Sequence, residues 1–108
     1  SATGVMLLAH APPAELDALL ELYTLPRRFQ DTESFIRYLC LVRAKRYAEL
    51  RRPRDVLALA VPVLRDAQAV AALGAMLQPG DPGYGDIPGA LSTLRRGAAD
   101  MIRQMEAI

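Results

Sequence analysis

The chain has 108 residues, of which 52% are hydrophobic and 23% charged, the size of one domain and a composition that excludes an intrinsically disordered chain. Thirteen basic residues against twelve acidic ones leave a net charge of +1, so bulk charge demands neither a nucleic-acid nor a membrane partner. One cysteine excludes an internal disulfide, and with one histidine it makes no zinc site.

The longest apolar runs, Val5–Ala9 and Val56–Leu64, fall far short of the roughly 18 residues a membrane helix needs. No basic residue precedes Val5, so a signal peptide's charged start is missing. An unpaired cysteine in an apolar stretch fits a reducing compartment, and an intracellular, cytoplasmic location is expected. The first residue is Ser, so either the start is processed or the chain is a domain cut from a longer protein.

In chain order, Val5–His10 is expected to form a short helix ended by Ala11-Pro12-Pro13. Pro13 suits the first turn of the next helix, where its missing N–H costs nothing. Leu16, Leu19, Leu20 and Tyr23 give that helix one apolar face, and Pro26 ends it near Thr24. Asp31 or Thr32 caps a helix running to about Leu50. Its first half, Phe35–Val42, is apolar on nearly every side except Arg37, which places it centrally with Cys40 in the core. A third helix starts at Pro53, carries Val56, Leu57, Leu59, Ala60, Val63 and Leu64, and is kinked or ended by Pro62. A fourth, Asp66–Leu77, is alanine-rich, with Gly74 permitting a close contact. Gln78–Gly89 is a long Pro/Gly loop, and Ala90–Ile108 is a fifth helix. Period-2 stretches are short, and Val, Ile and Thr are scarce beside Leu and Ala. The expected fold is therefore all-α: one domain over residues 1–108, a compact bundle or short solenoid-like array of about five helices.

Pro13 and Pro53 each open a second helix, 40 residues apart, a spacing in the range of helical repeats. Leu41–Pro53 has a small residue, Ala44, followed three positions later by an aromatic one, Tyr47. Residues 41–64 thereby resemble a tetratricopeptide-like helical hairpin. That resemblance implies a concave groove that binds peptides.

Little in the chain points to catalysis. His10 lies before two prolines at a helix end, without a neighbouring nucleophile or carboxylate. The twelve carboxylates form no metal-ligand spacing. The loop from Asp81 to Asp86 lacks the further acids of a calcium site, and its glycines follow no strand as a phosphate loop requires. No catalytic residue, metal ligand or cofactor is expected, and the chain is not expected to be an enzyme.

Charge is unevenly distributed: residues 1–26 carry −3, residues 27–65 carry +6, and residues 66–108 carry −2. The middle segment holds Arg43, Lys45, Arg46, Arg51, Arg52 and Arg54, a patch that would steer an acidic partner. Nucleic acid is the weaker alternative for this Arg43–Arg54 cluster, because one lysine and no tryptophan leave few stacking platforms. On the last helix Leu91, Leu94, Ala98, Met101, Met105 and Ile108 recur in steps of three and four, a heptad-like seam. Tyr84 is a large apolar residue in the long loop, a further contact. These features together predict a non-enzymatic adaptor or scaffold domain that binds another protein, or a second copy of itself, through the seam and the basic patch.

Overall fold

The computed structural model describes residues 1–22 and 25–108. Three helices come first: α1 (Ala2–Ala9), α2 (Pro13–Leu22) and α3 (Thr32–Lys45). Strand β1 (Ala48–Arg51) and a 3₁₀ turn (Pro53–Asp55) lead to a hairpin of β2 (Leu57–Arg65) and β3 (Gln68–Leu77). Helix α4 (Ile87–Glu106) closes the chain. The sheet is antiparallel throughout, in the order β1-β2-β3. Helix α1 covers one face, with α3 packed against α1, and α4 covers the other.

The helices start where their sequence signals stand. Asp31 Oδ1 accepts the Ser34 N–H at 2.8 Å and caps α3. Asp86 Oδ1 accepts the Gly89 N–H at 3.0 Å and caps α4, with Pro88 in the first turn. Pro13 opens α2. The expected Tyr23 contact and the α2 end near Thr24 lie outside the described residues.

The all-α expectation is overturned between Arg46 and Leu77. Helix α3 stops at Lys45, because Arg46 turns left-handed (φ 61°) and its N–H bonds the Val42 carbonyl at 2.8 Å. The residues read as the rest of that helix form β1, and the expected third and fourth helices are β2 and β3. The tetratricopeptide likeness falls with them, since Ala44 and Tyr47 no longer share a helix and residues 57–64 are strand.

Strand β2 conceals its period by being buried on both faces. Leu57, Leu59, Val61 and Val63 point toward α4, while the small Ala58 and Ala60 point toward α1 and α3. Pro62 is tolerated in this central strand because β1 pairs only as far as Ala60. The hairpin turn is Asp66-Ala67, both left-handed (φ 51° and 64°). The pairs Val63↔Ala71 and Leu64↔Ala69 leave Val70 as a bulge. Beyond β3 no further strand pairs among the described residues, so its outer edge is open.

Helix α3 is buried on one face only. Phe35, Leu39 and Val42 pack into the core, whereas Cys40 and Leu41 are exposed. The expected core cysteine is thus corrected: Cys40 lies off the stripe that meets α1. Phe29, Phe35 and Tyr38 cluster at centroid distances of 5.0–6.4 Å, with the Arg28 guanidinium 4.6 Å from the Tyr38 ring centre.

Candidate functional site

An apolar hollow among the described residues lies where the N-terminal end of α1 meets the hairpin. It holds about 290 Å³ and is walled by Ser1, Ala2 and Thr3, by Ala58 and Leu59 of β2, by Gly74, Ala75 and Met76 of β3, and by Arg52. Small side chains create it. The β2 face beneath α1 carries Ala58 and Ala60, and Gly74 is registered opposite Ala60. A Cβ on Gly74 would stand 2.8 Å from Thr3 Cγ2 and 3.2 Å from the Leu59 carbonyl oxygen, so only glycine lets α1 come down at this point. The wall is mostly aliphatic, with the Ser1 and Thr3 hydroxyls as neutral polar groups and Arg52 as the one charged side chain. Ser1 Oγ accepts the Gly4 N–H at 3.1 Å and so closes the first turn of α1. A hollow of this size and lining can hold a compact organic molecule.

Two further hollows are less suited. One, of about 310 Å³, lies along Pro62 and Leu64 of β2 and Arg95, Ala98, Ala99 and Ile102 of α4. The other, of about 340 Å³, lies between α1, α2 and the hairpin, with His10 and Glu15 in its wall. His10 donates its Nδ1 hydrogen to the Met6 carbonyl at 3.2 Å. Burial lowers its pKa below the ordinary value; the Met6 bond opposes this, and Arg43 and Arg46 reinforce it. His10 thus favours the neutral form at the end of α1.

The structure separates the residues expected to bind a partner. In α4, Leu91 is buried and Leu94 half-buried against β2 and β3, while Met101 and Met105 are partly exposed; Ile108, beyond the end of the helix, is fully exposed. The seam is thus divided between core and surface. Arg43 lies in the last turn of α3 and Arg46 at its cap. Lys45 sits over the Tyr47 ring at 4.9 Å. Arg51 pairs with Glu49 at 3.6 Å, Arg52 borders the hollow, and Arg54 is in the 3₁₀ turn with φ 64°. Tyr84 is half-buried, and its hydroxyl donates to the Asp55 carbonyl at 2.7 Å, tying the loop before α4 to that turn. Of the expected contact residues, only Arg52 lines the apolar hollow. Sequence reasoning missed the other walls. Gly74 was marked for a close contact, but inside an assumed helix.

Among the described residues, no group of three or more His, Cys, Asp or Glu side chains could hold a metal ion. Nor is any helix among them long and apolar enough to cross a membrane.

No protein-family model and no curated protein matches the sequence. Solved structures do. A double mutant of the inducer-binding domain of the PobR transcription factor from Acinetobacter, in complex with 3-hydroxybenzoic acid, is 29% identical, with 94% of this chain and 62% of that chain covered and a TM-score of 0.73. An IclR homolog from Microbacterium hydrocarbonoxydans, complexed with 4-hydroxybenzoate, is 25% identical, with coverage of 100% and 45% and a TM-score of 0.79. The C-terminal domain of the E. coli transcriptional regulator KdgR is 24% identical, with coverage of 97% and 68% and a TM-score of 0.79, a likeness of fold. The chain therefore spans about 62% of the first of these proteins and 45% of the second. The first and third of these are domains of transcription regulators, and the first and second hold small aromatic acids. They overturn the expectation of a helical-repeat adaptor or scaffold that grips a partner helix.

Proposed function

We propose that the chain is part of the ligand-sensing domain of a transcription regulator and that a small organic molecule binds in the hollow between α1 and β2–β3. The observation that carries this reading is the hollow itself: about 290 Å³, aliphatic, built by Gly74 and two alanines, and bordered by one charged side chain. The likeness to an inducer-binding domain that holds a hydroxybenzoic acid supports it. On this reading the chain has no catalytic task, and DNA contact belongs to another part of the regulator. A ligand that binds only the folded chain stabilises it, by about 2.7 kcal/mol at a hundredfold excess over Kd. Thermal unfolding against a panel of small aromatic and aliphatic acids tests the proposal. At least one is expected to raise the Tm, and Met76→Trp, which fills the rim of the hollow from an exposed position, is expected to abolish the rise. If no member of the panel shifts the Tm, the reading fails.

Association with a second copy is carried forward as part of this reading. Met101 and Met105 on α4 and Ile108 just beyond it are large apolar residues left exposed for it. Light scattering on the purified chain tests it, and a monomer at every concentration would end it.

A further inference from the structure

Arg52 is the point at which the hollow becomes selective. It is the one charged side chain in the lining, and it makes no ion pair among the described residues. Its neighbour Arg51 differs, being engaged by Glu49 at 3.6 Å. The backbone that carries Arg52 is fixed: its N–H bonds the Val56 carbonyl at 2.8 Å, and Pro53 follows it into the 3₁₀ turn. A guanidinium on an anchored backbone, beside an aliphatic cavity and without a protein carboxylate, presents a planar fork to whatever fills that cavity. The opposite wall offers alanine methyls and the Met76 side chain. Its complement is a molecule with one carboxylate at one end and a compact apolar body at the other. The cavity lies near the lower limit of ligand hollows, roughly 300 to 1,000 Å³, which confines that body to about a single ring.

We infer that Arg52 is the specificity-determining residue of this site and that it selects a small monocarboxylate over its uncharged and cationic counterparts. The inference rests on the proposed ligand-sensing function and adds the charge of the ligand and the residue that reads it. An amine of the same shape would meet like charge, and an amide would lose the bidentate pairing.

The experiment is calorimetric titration of the 108-residue chain with 4-hydroxybenzoate, 4-hydroxybenzamide and 4-hydroxybenzylamine, repeated on Arg52→Gln, Arg52→Lys and Met76→Trp. In the unsubstituted chain the acid is expected to bind about tenfold to a hundredfold more tightly than the amide, as loss of a charge-assisted hydrogen bond implies. Arg52→Gln should weaken the acid by that factor, leave the amide unchanged and so erase the preference, while Arg52→Lys keeps part of it. Arg52 is exposed, so neither substitution disturbs the core. If the acid binds Arg52→Gln as tightly as the unsubstituted chain while Met76→Trp abolishes binding, the site stands and the inference about Arg52 is overturned. If none of the three compounds binds the unsubstituted chain, the inference is overturned, and the panel experiment decides the ligand-sensing reading separately.

Discussion

The two faces of the sheet are packed in opposite ways. Toward α4, strand β2 presents Leu57, Leu59, Val61 and Val63, all within 1% of complete burial, and α4 sets Leu91 and Ala98 against them. Toward α1 it presents Ala58 and Ala60, beside Gly74 on β3. The large-residue face forms a closed core. The small-residue face allows a helix end to approach, yet leaves the space beneath it incompletely filled. One strand therefore supplies stability on one side and a cavity on the other, by alternating large and small residues along its length.

Substitutions that exchange the two characters test this contrast. The largest effect is expected from Leu59→Ala, which opens a void in the closed face and should lower stability by about 2–5 kcal/mol in urea unfolding. Ala60→Leu, one residue away but on the other face, should cost about 1–3 kcal/mol through overpacking against α1, and should reduce ligand binding as well. Were Leu59→Ala the milder of the two, the assignment of core and cavity to these faces would have to be reversed. Asp86→Ala removes the cap of α4 and should cost about 1 kcal/mol, weakening the closed face without altering the hollow. The smallest effect belongs to His10, beneath the other face. Burial depresses its pKa, so the unfolded chain takes up the proton first as pH falls. The stability it contributes is whole well above the unfolded value of about 6.5 and declines as pH drops through it. His10→Gln should flatten that decline in thermal melts at pH 5 to 8, while Leu59→Ala should leave its slope unaltered.

The starts of α2 and α3 were legible because Pro13 and Asp31 mark their first turns, whereas α1 begins at Ala2 and not Val5, and α4 spans Ile87–Glu106 where Ala90–Ile108 was expected, capped by an Asp86 that lay in the assumed loop. The strands were hidden for identifiable reasons. In β2 every position through Val63 is apolar and buried, so the alternation is of size and not of polarity, and hydropathy alone reads it as a helix. In β3 four of ten residues are alanine, a helix former held in a sheet by its pairing with β2. The turn that joins them is Asp66-Ala67, where alanine occupies a left-handed position usually marked by glycine. Arg46 conceals the end of α3 in the same way, since a non-glycine residue adopts the left-handed cap. The candidate site was less legible still. Its walls come from residues 1–3, 52, 58–59 and 74–76, which no spacing rule connects. Of the expected contact residues Arg52 alone is among them, as one of six charges in a patch, and only the fold sets it apart beside a cavity.

The open edge of β3 bears on how this polypeptide behaves in a tube. Ten residues, Gln68–Leu77, carry no charge and no proline, and their outward N–H and C=O groups meet no neighbouring strand among the described residues. Such an edge is a template for its own kind, and the bulge at Val70 is the one feature that interrupts it. Concentrated samples should therefore thicken into strand-paired aggregates sooner than the net charge of +1 alone would suggest. A lysine in place of the exposed Val70 is the smallest change that would keep them clear.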